Sequence, residues 1–276
     1  MDAIALRAGS VMATIYPTAG GRLGQLAFDS TPVLRGPDNG AAEMGWGYWG
    51  SYALLPWSNR IPGGEFSFEG RALRVPVSWE DGSALHGLAA RMPWTVERAE
   101  PGVAELSIDI DEGPYQVQGW QRFVVTDGGL EQQLGVTNRG SERVPAGLGI
   151  HPWFRVSDVR VPASLMWPGE PMPTGPPVAV GPPEDLRTAR PVPPMDRCYT
   201  GLTERAVEVG GIRLSWDGPI TQVVVYSGEP DWVCVEPVTM ANDGFRLADE
   251  RVPGAGVVGL DPGESLTVTY RFAPAG

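Results

Sequence analysis

The chain has 276 residues and carries 33 acidic against 21 basic side chains, which gives a formal charge of -12. All basic residues are arginines, so a Schiff-base lysine and the lysine of a phosphate-binding loop are excluded. Nucleic acid is not an expected partner, because binding its phosphates requires clustered basic groups. No stretch approaches the ~18 apolar residues of a membrane helix. The N-terminal residues lack a signal-peptide pattern, so we expect a cytoplasmic protein without a membrane partner.

Turn-forming residues are abundant, with 37 glycines and 28 prolines, and such a composition is typical of a chain of short strands. Between the turns, apolar and polar residues alternate, as expected for strands with one buried face. Asp-Gly and Pro-Gly pairs separate the alternating runs. In chain order, the predicted strands are residues 11–16, 22–28, 65–69, 94–99, 103–111, 117–126, 130–137, 205–209, 212–216, 221–226, 232–236 and 265–272.

This pattern predicts one all-β domain over residues 1–276, with two large antiparallel sheets packed face to face. The best helical fragment, residues 56–60, would be one turn long. Residues 168–194 are the most proline-rich stretch, and we interpret them as a long surface loop and not as an interdomain linker. The sequence leaves the oligomeric state open.

The two cysteines, Cys198 and Cys234, do not have the spacing of a metal-binding knuckle. We interpret them as reduced thiols, with a disulfide between them as the alternative. The chain has only two histidines, which cannot supply a three-histidine zinc site, and no close histidine spacing offers a zinc motif. No dinucleotide loop or nucleophile elbow occurs either. We therefore expect neither a metal nor a cofactor.

Both histidines are predicted at strand ends, where loops often carry function. His86 follows an Asp-Gly-Ser turn, and His151 ends the apolar run 146–150 and precedes Pro152. Because proline has no N–H to donate, it is not expected within a central strand. The residues alone support a structural and a functional interpretation of each histidine equally well.

One carboxylate differs from the many that we interpret as surface charge. Glu236 ends the predicted strand 232–236, because Pro237 follows it. Alternation places Glu236 on the same face as Trp232 and Cys234. Desolvation on that face would raise the pKa of the carboxyl group and suit it to general-base chemistry near neutral pH. A glutamate that simply reaches solvent at a strand end is the alternative.

Two further polar residues are ambiguous. Arg60 lies between an aromatic residue and a Pro-Gly-Gly turn. Its guanidinium would either donate a forked pair of hydrogen bonds to a ligand or brace the turn through backbone carbonyls. Asp196 is adjacent to Arg197, and such a pair is either a surface ion pair or part of a turn. Asp196 is therefore the weaker candidate for ligand binding.

Five short motifs, taken in order, resemble the aldose 1-epimerase (galactose mutarotase) family. They are Pro-Trp-Ser-Asn-Arg-Ile at 56–61 followed by Gly-Gly-x-Phe, His-Gly at 86–87, Gly-x-His-Pro-Trp-Phe at 149–154, Met-Asp-Arg-Cys-Tyr-Thr-Gly at 195–201 and Val-Glu-Pro at 235–237. Each motif alone is weakly specific, but their order makes a more specific signal that covers nearly the whole chain. The resemblance implies a large antiparallel β-supersandwich of the galactose mutarotase-like type.

The resemblance also implies roles for individual residues. Glu236 matches the general base that removes the proton from the O1 hydroxyl of the sugar. His151 matches the general acid that protonates the ring oxygen O5, and His86 matches a second histidine that donates a hydrogen bond near that oxygen. The implied substrate-binding positions are Asn59, Arg60, Trp153, Phe154 and Asp196, with a place in the core as the alternative for the rings of Trp153 and Phe154. The implied activity is the interconversion of α and β anomers of a free aldose, with a small sugar as the partner and no cofactor.

Some positions depart from the family pattern. The common tyrosine after His-Pro is Trp153 here, and Arg91 and Trp94 resemble the glucose-6-phosphate 1-epimerase branch, whose members use arginines for phosphate. A net charge of -12 disfavours an anionic substrate. The alternatives to a mutarotase of free sugars are therefore a hexose-6-phosphate 1-epimerase, a non-catalytic sugar-binding protein on the same fold and, last, a lyase or glycosidase. The sequence does not identify the sugar.

Overall fold

The structure is a computed structural model that describes residues 2–38 and 40–276. Met1 and Asn39, which belong to the predicted domain, lie outside the described residues. The strands are β1 (Ile4–Ala8), β2 (Val11–Tyr16), β3 (Arg22–Phe28), β4 (Thr31–Pro32), β5 (Ser51–Leu54), β6 (Arg60–Pro62), β7 (Glu65–Phe68), β8 (Arg71–Arg74), β9 (Ser83–Leu85), β10 (Thr95–Glu100), β11 (Val103–Glu112), β12 (Tyr115–Thr126), β13 (Gly129–Asn138), β14 (Val144–Ala146), β15 (Gly149–Arg155), β16 (Asp158–Arg160), β17 (Ala163–Met166), β18 (Val178–Ala179), β19 (Arg190–Pro191), β20 (Asp196–Leu202), β21 (Ala206–Val209), β22 (Ile212–Asp217), β23 (Gln222–Tyr226), β24 (Trp232–Val238), β25 (Val258–Leu260) and β26 (Ser265–Pro274).

Helical structure is sparse. The α-helix α1 spans Gly244–Asp249, and the short 3₁₀ turns are Pro17–Ala19, Trp46–Tyr48, Ala89–Arg91 and Pro182–Glu184. Within the described ranges, no helix is both long and apolar enough to cross a membrane.

Two large sheets dominate the fold and confirm the all-β prediction. The eleven-stranded sheet has the order β1-β2-β3-β5-β15-β24-β23-β20-β17-β18, with β4 paired to β3. The nine-stranded sheet has the order β10-β11-β12-β13-β26-β22-β21-β16-β19. Three two-stranded sheets pair β14 with β25, β6 with β9, and β7 with β8. The ladders at the centres of both large sheets are antiparallel.

The main hydrophobic core combines both large sheets. Ile15 and Leu23 of the eleven-stranded sheet share one buried cluster with Phe123 and Phe272 of the nine-stranded sheet. Burying a side chain of this kind contributes about 1.5–3 kcal/mol relative to leaving it exposed. In β26 every second side chain between Ser265 and Phe272 is buried, as the alternation predicts.

A second buried cluster lies on the other face of the eleven-stranded sheet. Strand β24 directs Val233 and Val235 into the main core, and Cys234 and Val238 into this second cluster. Successive side chains of a strand point to opposite faces, so the two clusters are separated by the sheet itself. The outer face therefore provides an apolar floor on which a polar site can be built.

The prediction that prolines end the strands at His151 and Glu236 is wrong. Strand β15 continues through Pro152, and β24 continues to Val238. Trp153 donates its backbone N–H to the carbonyl of Gly50, on the β5 side. Backbone nitrogens alternate in direction along a strand, so the nitrogen of Pro152 points toward β24.

The ladder between β15 and β24 is open at that point. Gly149 pairs with Val238 and Trp153 pairs with Cys234, but the residues between them form no bridge. A proline nitrogen without a hydrogen is tolerated there, because no ladder hydrogen bond is required of it.

The helical expectation for residues 56–60 is also wrong. This segment leads into β6, and Asn59 has a φ of 56°, in the left-handed region that a right-handed helix does not use. The helix that does form, α1, is six residues long and therefore too short to produce a periodic apolar signal. Residues 168–194 are mostly irregular, as predicted, and contain only β18, β19 and one 3₁₀ turn.

Candidate active site

The centre of the site is a cross-strand pair on the outer face of the eleven-stranded sheet. The β15–β24 register is the same on both sides of the open segment, so His151 lies opposite Glu236. The His151 Nε2 atom is 3.1 Å from the Glu236 Oε1 atom. His151 is 5% exposed and Glu236 is 2% exposed. The register therefore brings an imidazole and a carboxyl group into direct contact in a nearly dry environment.

Neighbouring strands extend this pair into a patch of polar and aromatic side chains. Tyr52 of β5 pairs with His151, and their rings stack with centroids 4.7 Å apart and an interplanar angle of 17°. On the other side of β24, Tyr226 of β23 pairs with Cys234, and Asp196 of β20 pairs with Tyr226. We call this patch the sheet wall; it consists of Tyr52, His151, Trp153, Asp196, Tyr226 and Glu236.

A second set of residues faces the sheet wall from outside the large sheets. The backbone N–H of His86 donates to the Asn59 carbonyl at 2.8 Å, and the N–H of Asn59 donates to His86 Nδ1 at 3.2 Å. Because Nδ1 accepts a hydrogen bond, the neutral ring carries its hydrogen on Nε2. We call this set the loop wall; it consists of Trp46, Asn59, Arg60, Trp79, Leu85 and His86.

The loop wall depends on unusual backbone conformations. Asn59 and His86 both lie in the left-handed region, with φ values of 56° and 57°. Gly87 follows with a φ of 73°, and a Cβ atom there would lie 2.1 Å from the Leu55 carbonyl oxygen. Only glycine fits such a close approach, which gives the His-Gly motif a physical reason. Strained residues of this kind often occur at functional sites.

The two walls enclose a cavity of about 300 Å³. This volume is at the lower end of the range for small-molecule sites, so it suits a ligand the size of a monosaccharide. The ring of His86 is 4.9 Å from that of His151 and nearly perpendicular to it, at 81°. Besides the two walls, the cavity is lined by Gly47, Tyr48 and Glu80.

Arg60 is the cationic side chain of the cavity lining in the part of the chain that the structure describes. Its Nε atom donates to Asp81 at 2.8 Å, and its Nη1 atom is 3.8 Å from Asp196. Asp81 in turn accepts hydrogen bonds from the backbone N–H and hydroxyl group of Ser83. Although partial burial opposes it, these hydrogen bonds from Ser83 and Arg60 lower the pKa of Asp81.

Burial shifts the ionisable groups of the site away from their charged forms. It raises the pKa of Glu236 well above its usual range, an effect that Asp196 reinforces and Arg60 opposes. It lowers the pKa of His151 and of His86 well below their usual range. Burial also raises the pKa of Asp196, against the charge of Arg60. Such opposed shifts of an adjacent acid and base are typical of proton-transfer sites.

The structure brings together seven of the eight residues singled out in the sequence. His86, His151 and Glu236 meet in the cavity, and Asn59, Arg60, Trp153 and Asp196 line it. Phe154 is the correction. It points to the opposite face of β15 from Trp153, where it packs in the main core with its ring centroid 6.5 Å from that of Phe272. Alternation along a strand means that adjacent residues cannot both flank one cavity.

Several residues of the site have no strong signal in the sequence. The Asp-Gly pair at Asp81 indicates only a turn, although it lies close to His86 in the sequence. The aromatic residues Trp46, Tyr48 and Trp79 lie in loops or short turns without a strand pattern. Their aromatic character was the available signal, because exposed clusters of aromatic residues in loops often line ligand sites.

Three further positions bear on expectations from the sequence. Cys198 and Cys234 are both buried and unpaired, in agreement with the interpretation as thiols. Arg91, the position that resembles the sugar-phosphate branch, does not line the cavity. Its guanidinium lies 5.6 Å from the centroid of the Trp46 ring and borders a separate, smaller cavity beside Arg22.

Comparison with known proteins identifies the family of this site. The model of the family described as aldose 1-epimerase matches residues 2–273. The chain belongs to the aldose 1-epimerase family. This match covers both walls of the cavity and both large sheets, so the resemblance stated for the five motifs extends to the whole fold.

Individual relatives of this aldose 1-epimerase family member are similar to it over most of their length. The uncharacterised protein YphB of Escherichia coli K12 is 28% identical over 262 residues, which is 87% of each chain. A crystal structure of an Escherichia coli K12 protein proposed to be an aldose 1-epimerase is 25% identical, with a TM-score of 0.85 over 99% of this chain and 98% of that one. A galactose mutarotase-like protein of Clostridium acetobutylicum is 20% identical, with a TM-score of 0.84 over 97% and 93%. The fold is therefore galactose mutarotase-like, as expected.

Proposed function

We propose that the protein is an aldose 1-epimerase that interconverts the α and β anomers of a free aldose. The observation that carries the proposal is the 3.1 Å contact between His151 and Glu236 at the cavity surface. Opening an aldose ring requires a base at the O1 hydroxyl and an acid at the ring oxygen O5. Both oxygens are bonded to the same carbon, so the base and the acid must stand side by side, as these two groups do.

Glu236 is the base and His151 is the acid in this proposal. Burial disfavours charge on both groups, so the resting pair holds one transferable proton on the carboxyl group, next to a neutral imidazole. Moving that proton across the contact produces a carboxylate and an imidazolium. Polar hydroxyls of a bound sugar favour this charged form, because they replace hydrogen bonds that the dry site lacks.

The reaction then needs no other proton source. Glu236 takes the proton from O1 while His151 gives its proton to O5, and the ring opens to the aldehyde. After the C1–C2 bond rotates, His151 takes the O5 proton back, Glu236 returns a proton to O1, and the other anomer forms. The pair ends in the state in which it began, so the same two groups catalyse both directions.

The loop wall orients the sugar in this proposal. The Nε2–H of His86 faces the cavity beside His151 and donates to the ring oxygen region, because Nδ1 is occupied by the Asn59 amide. Arg60 and Asp196 bind sugar hydroxyls as a donor and an acceptor. The aromatic rings of Trp79 and Trp153 supply apolar surface for the sugar C–H groups.

The charges of the cavity favour a neutral sugar over a phosphorylated one. Arg60, which lines the cavity, already has Asp81 and Asp196 as partners. Arg91 lies outside the lining, beside Trp46. A phosphate group would need donors that are not already engaged with carboxylates.

Anomer exchange measured by NMR with purified protein tests the proposal, over glucose, galactose, xylose, arabinose and glucose 6-phosphate. We expect accelerated exchange with at least one free sugar, and a loss of at least about 10²-fold in Glu236→Gln. Glu208→Gln, on the nine-stranded sheet, is the matched control and should keep the full rate. Sugar binding without exchange would identify a binding protein, and a marked preference for glucose 6-phosphate would overturn the neutral-sugar assignment.

A further inference from the structure

We propose that His151 and Glu236 of the sheet wall, together with the buried thiol of Cys234 on β24, form a binding site for a thiophilic divalent cation such as Zn²⁺. One possible ligand atom from each residue lies within 4.8 Å of the other two. All three side chains are buried. The metal site stands on this geometry, whereas its consequence for activity, inhibition, rests on the proposed function.

The register of the strands explains why these three donors converge. His151 lies across from Glu236, and Cys234 precedes Glu236 by two residues on the same face of β24. The thiol is therefore beside the carboxyl group along one strand and diagonal to the imidazole on the next. Zinc–ligand bonds of about 2.0–2.3 Å place donors of one tetrahedral site within this range of separations after small side-chain adjustments.

An unsatisfied polar atom points to a ligand at this place. The Oε2 atom of Glu236 is buried without a hydrogen-bond partner. Buried polar groups are nearly always satisfied, and an exception calls for a missing partner. The contact with His151 uses only the Oε1 atom of Glu236. A cation bound to Oε2 would supply the partner that this atom lacks.

The balance of charge is also favourable. On binding, the Cys234 thiol and the His151–Glu236 pair each release one proton, leaving a thiolate, a carboxylate and a neutral imidazole. Their two negative charges neutralise the two positive charges of Zn²⁺, so the buried site remains neutral overall. Mixed nitrogen, sulfur and oxygen ligands suit zinc, and three protein ligands leave one coordination position open.

His151 and Glu236 line the cavity, so a cation that they hold would lie where the sugar binds in the proposed function. A bound cation would occupy the base and the acid at once and remove the proton that they exchange. We therefore expect Zn²⁺ to inhibit anomer exchange competitively with the sugar, and a chelator to restore the activity.

Cobalt(II) absorption spectroscopy tests the site without reference to activity. Cys198 provides the matched control: it is buried on the same face, but β20 is two strands from β24, roughly 10 Å away at the usual strand spacing. We expect a thiolate-to-cobalt charge-transfer band in the wild type and in Cys198→Ala, and no such band in Cys234→Ala. Cys234→Ser is the second variant if the alanine variant does not fold.

Zinc inhibition provides the second measurement. The concentration of Zn²⁺ for half inhibition should rise at least about tenfold in Cys234→Ala and stay unchanged in Cys198→Ala. A charge-transfer band that persists in both Cys234 variants, or no band in the wild type, would overturn the metal site. A band with no anomer exchange in metal-free protein would leave the metal site standing and contradict the proposed function instead.

Discussion

The two walls of the cavity are built in different ways. The sheet wall holds His151 and Glu236 by the register of two central strands, with ordinary extended backbone around them. The loop wall holds Asn59 and His86 by left-handed backbone and by two reciprocal hydrogen bonds. A ladder fixes distances between side chains from distant parts of the chain, whereas a loop fixes the direction of single donors. We infer that proton transfer is assigned to the sheet wall and sugar orientation to the loop wall.

The largest effect is expected from the sheet wall. His151→Gln keeps a hydrogen-bonding group beside Glu236 but cannot transfer a proton, so kcat for anomer exchange should fall by about 10³-fold. Sugar affinity, measured by calorimetry, should change much less. Circular dichroism should confirm that the variant folds. A kcat within about threefold of the wild type would assign the acid to another group, outside the His151–Glu236 pair.

Part of this arrangement was predictable from the sequence. Alternation in 232–236 correctly placed Glu236 on the face of Cys234, because period-2 patterns survive in any strand with one buried face. The contact with His151 was not predictable from the residues, since their 85-residue separation is closed only by the ladder register. The prediction that Phe154 lines the site failed for a similar reason. The motif contains the adjacent residues Trp153 and Phe154, and only the strand shows that their side chains point to opposite faces.

The loop wall was less accessible to sequence reasoning. Left-handed conformations at Asn59 and His86 have no periodic signature, and the pairing of β6 with β9 is only three residues long. The proline rule misplaced the end of β15, because it does not foresee an open ladder segment. Local strain and local interruptions of a ladder are tertiary effects, and the sequence pattern carries little information about them.

An intermediate effect is expected from the loop wall. His86→Asn preserves the left-handed backbone, which asparagine tolerates, and removes the Nε2–H donor. The loss of one donor to a developing charge should lower kcat/KM by about 10²-fold. NMR exchange rates at several sugar concentrations measure this value. If the loss equals that of His151→Gln and lies entirely in kcat, then His86 transfers a proton and the division between the walls is wrong.

A smaller effect is expected at the edge of the loop wall. Asp81→Asn removes the charge that binds Arg60 at 2.8 Å but keeps an acceptor for Ser83. Because Asp81 is partly exposed, the ion pair contributes at most about 1 kcal/mol, so KM should rise no more than about fivefold. The value of kcat should be unchanged, since Arg60 touches no transferred proton. A fall in kcat without a change in KM would contradict a positioning role for Asp81.

The smallest effect is expected from pH, measured with a chelator present so that the protein is metal-free. A histidine with an ordinary pKa would gain a proton as the pH falls through 6.5; the pair would then hold two protons and no base, and kcat would fall. Burial lowers the pKa of His151, so the pair resists a second proton. Burial also raises the pKa of Glu236 above its ordinary value of 4.5, so the pair keeps its single proton at pH values above 4.5. We therefore expect kcat to remain flat as the pH falls through 6.5. A decline centred on that value would show that His151 is accessible to solvent protons, and that the His151–Glu236 pair of the sheet wall is not held in a dry environment.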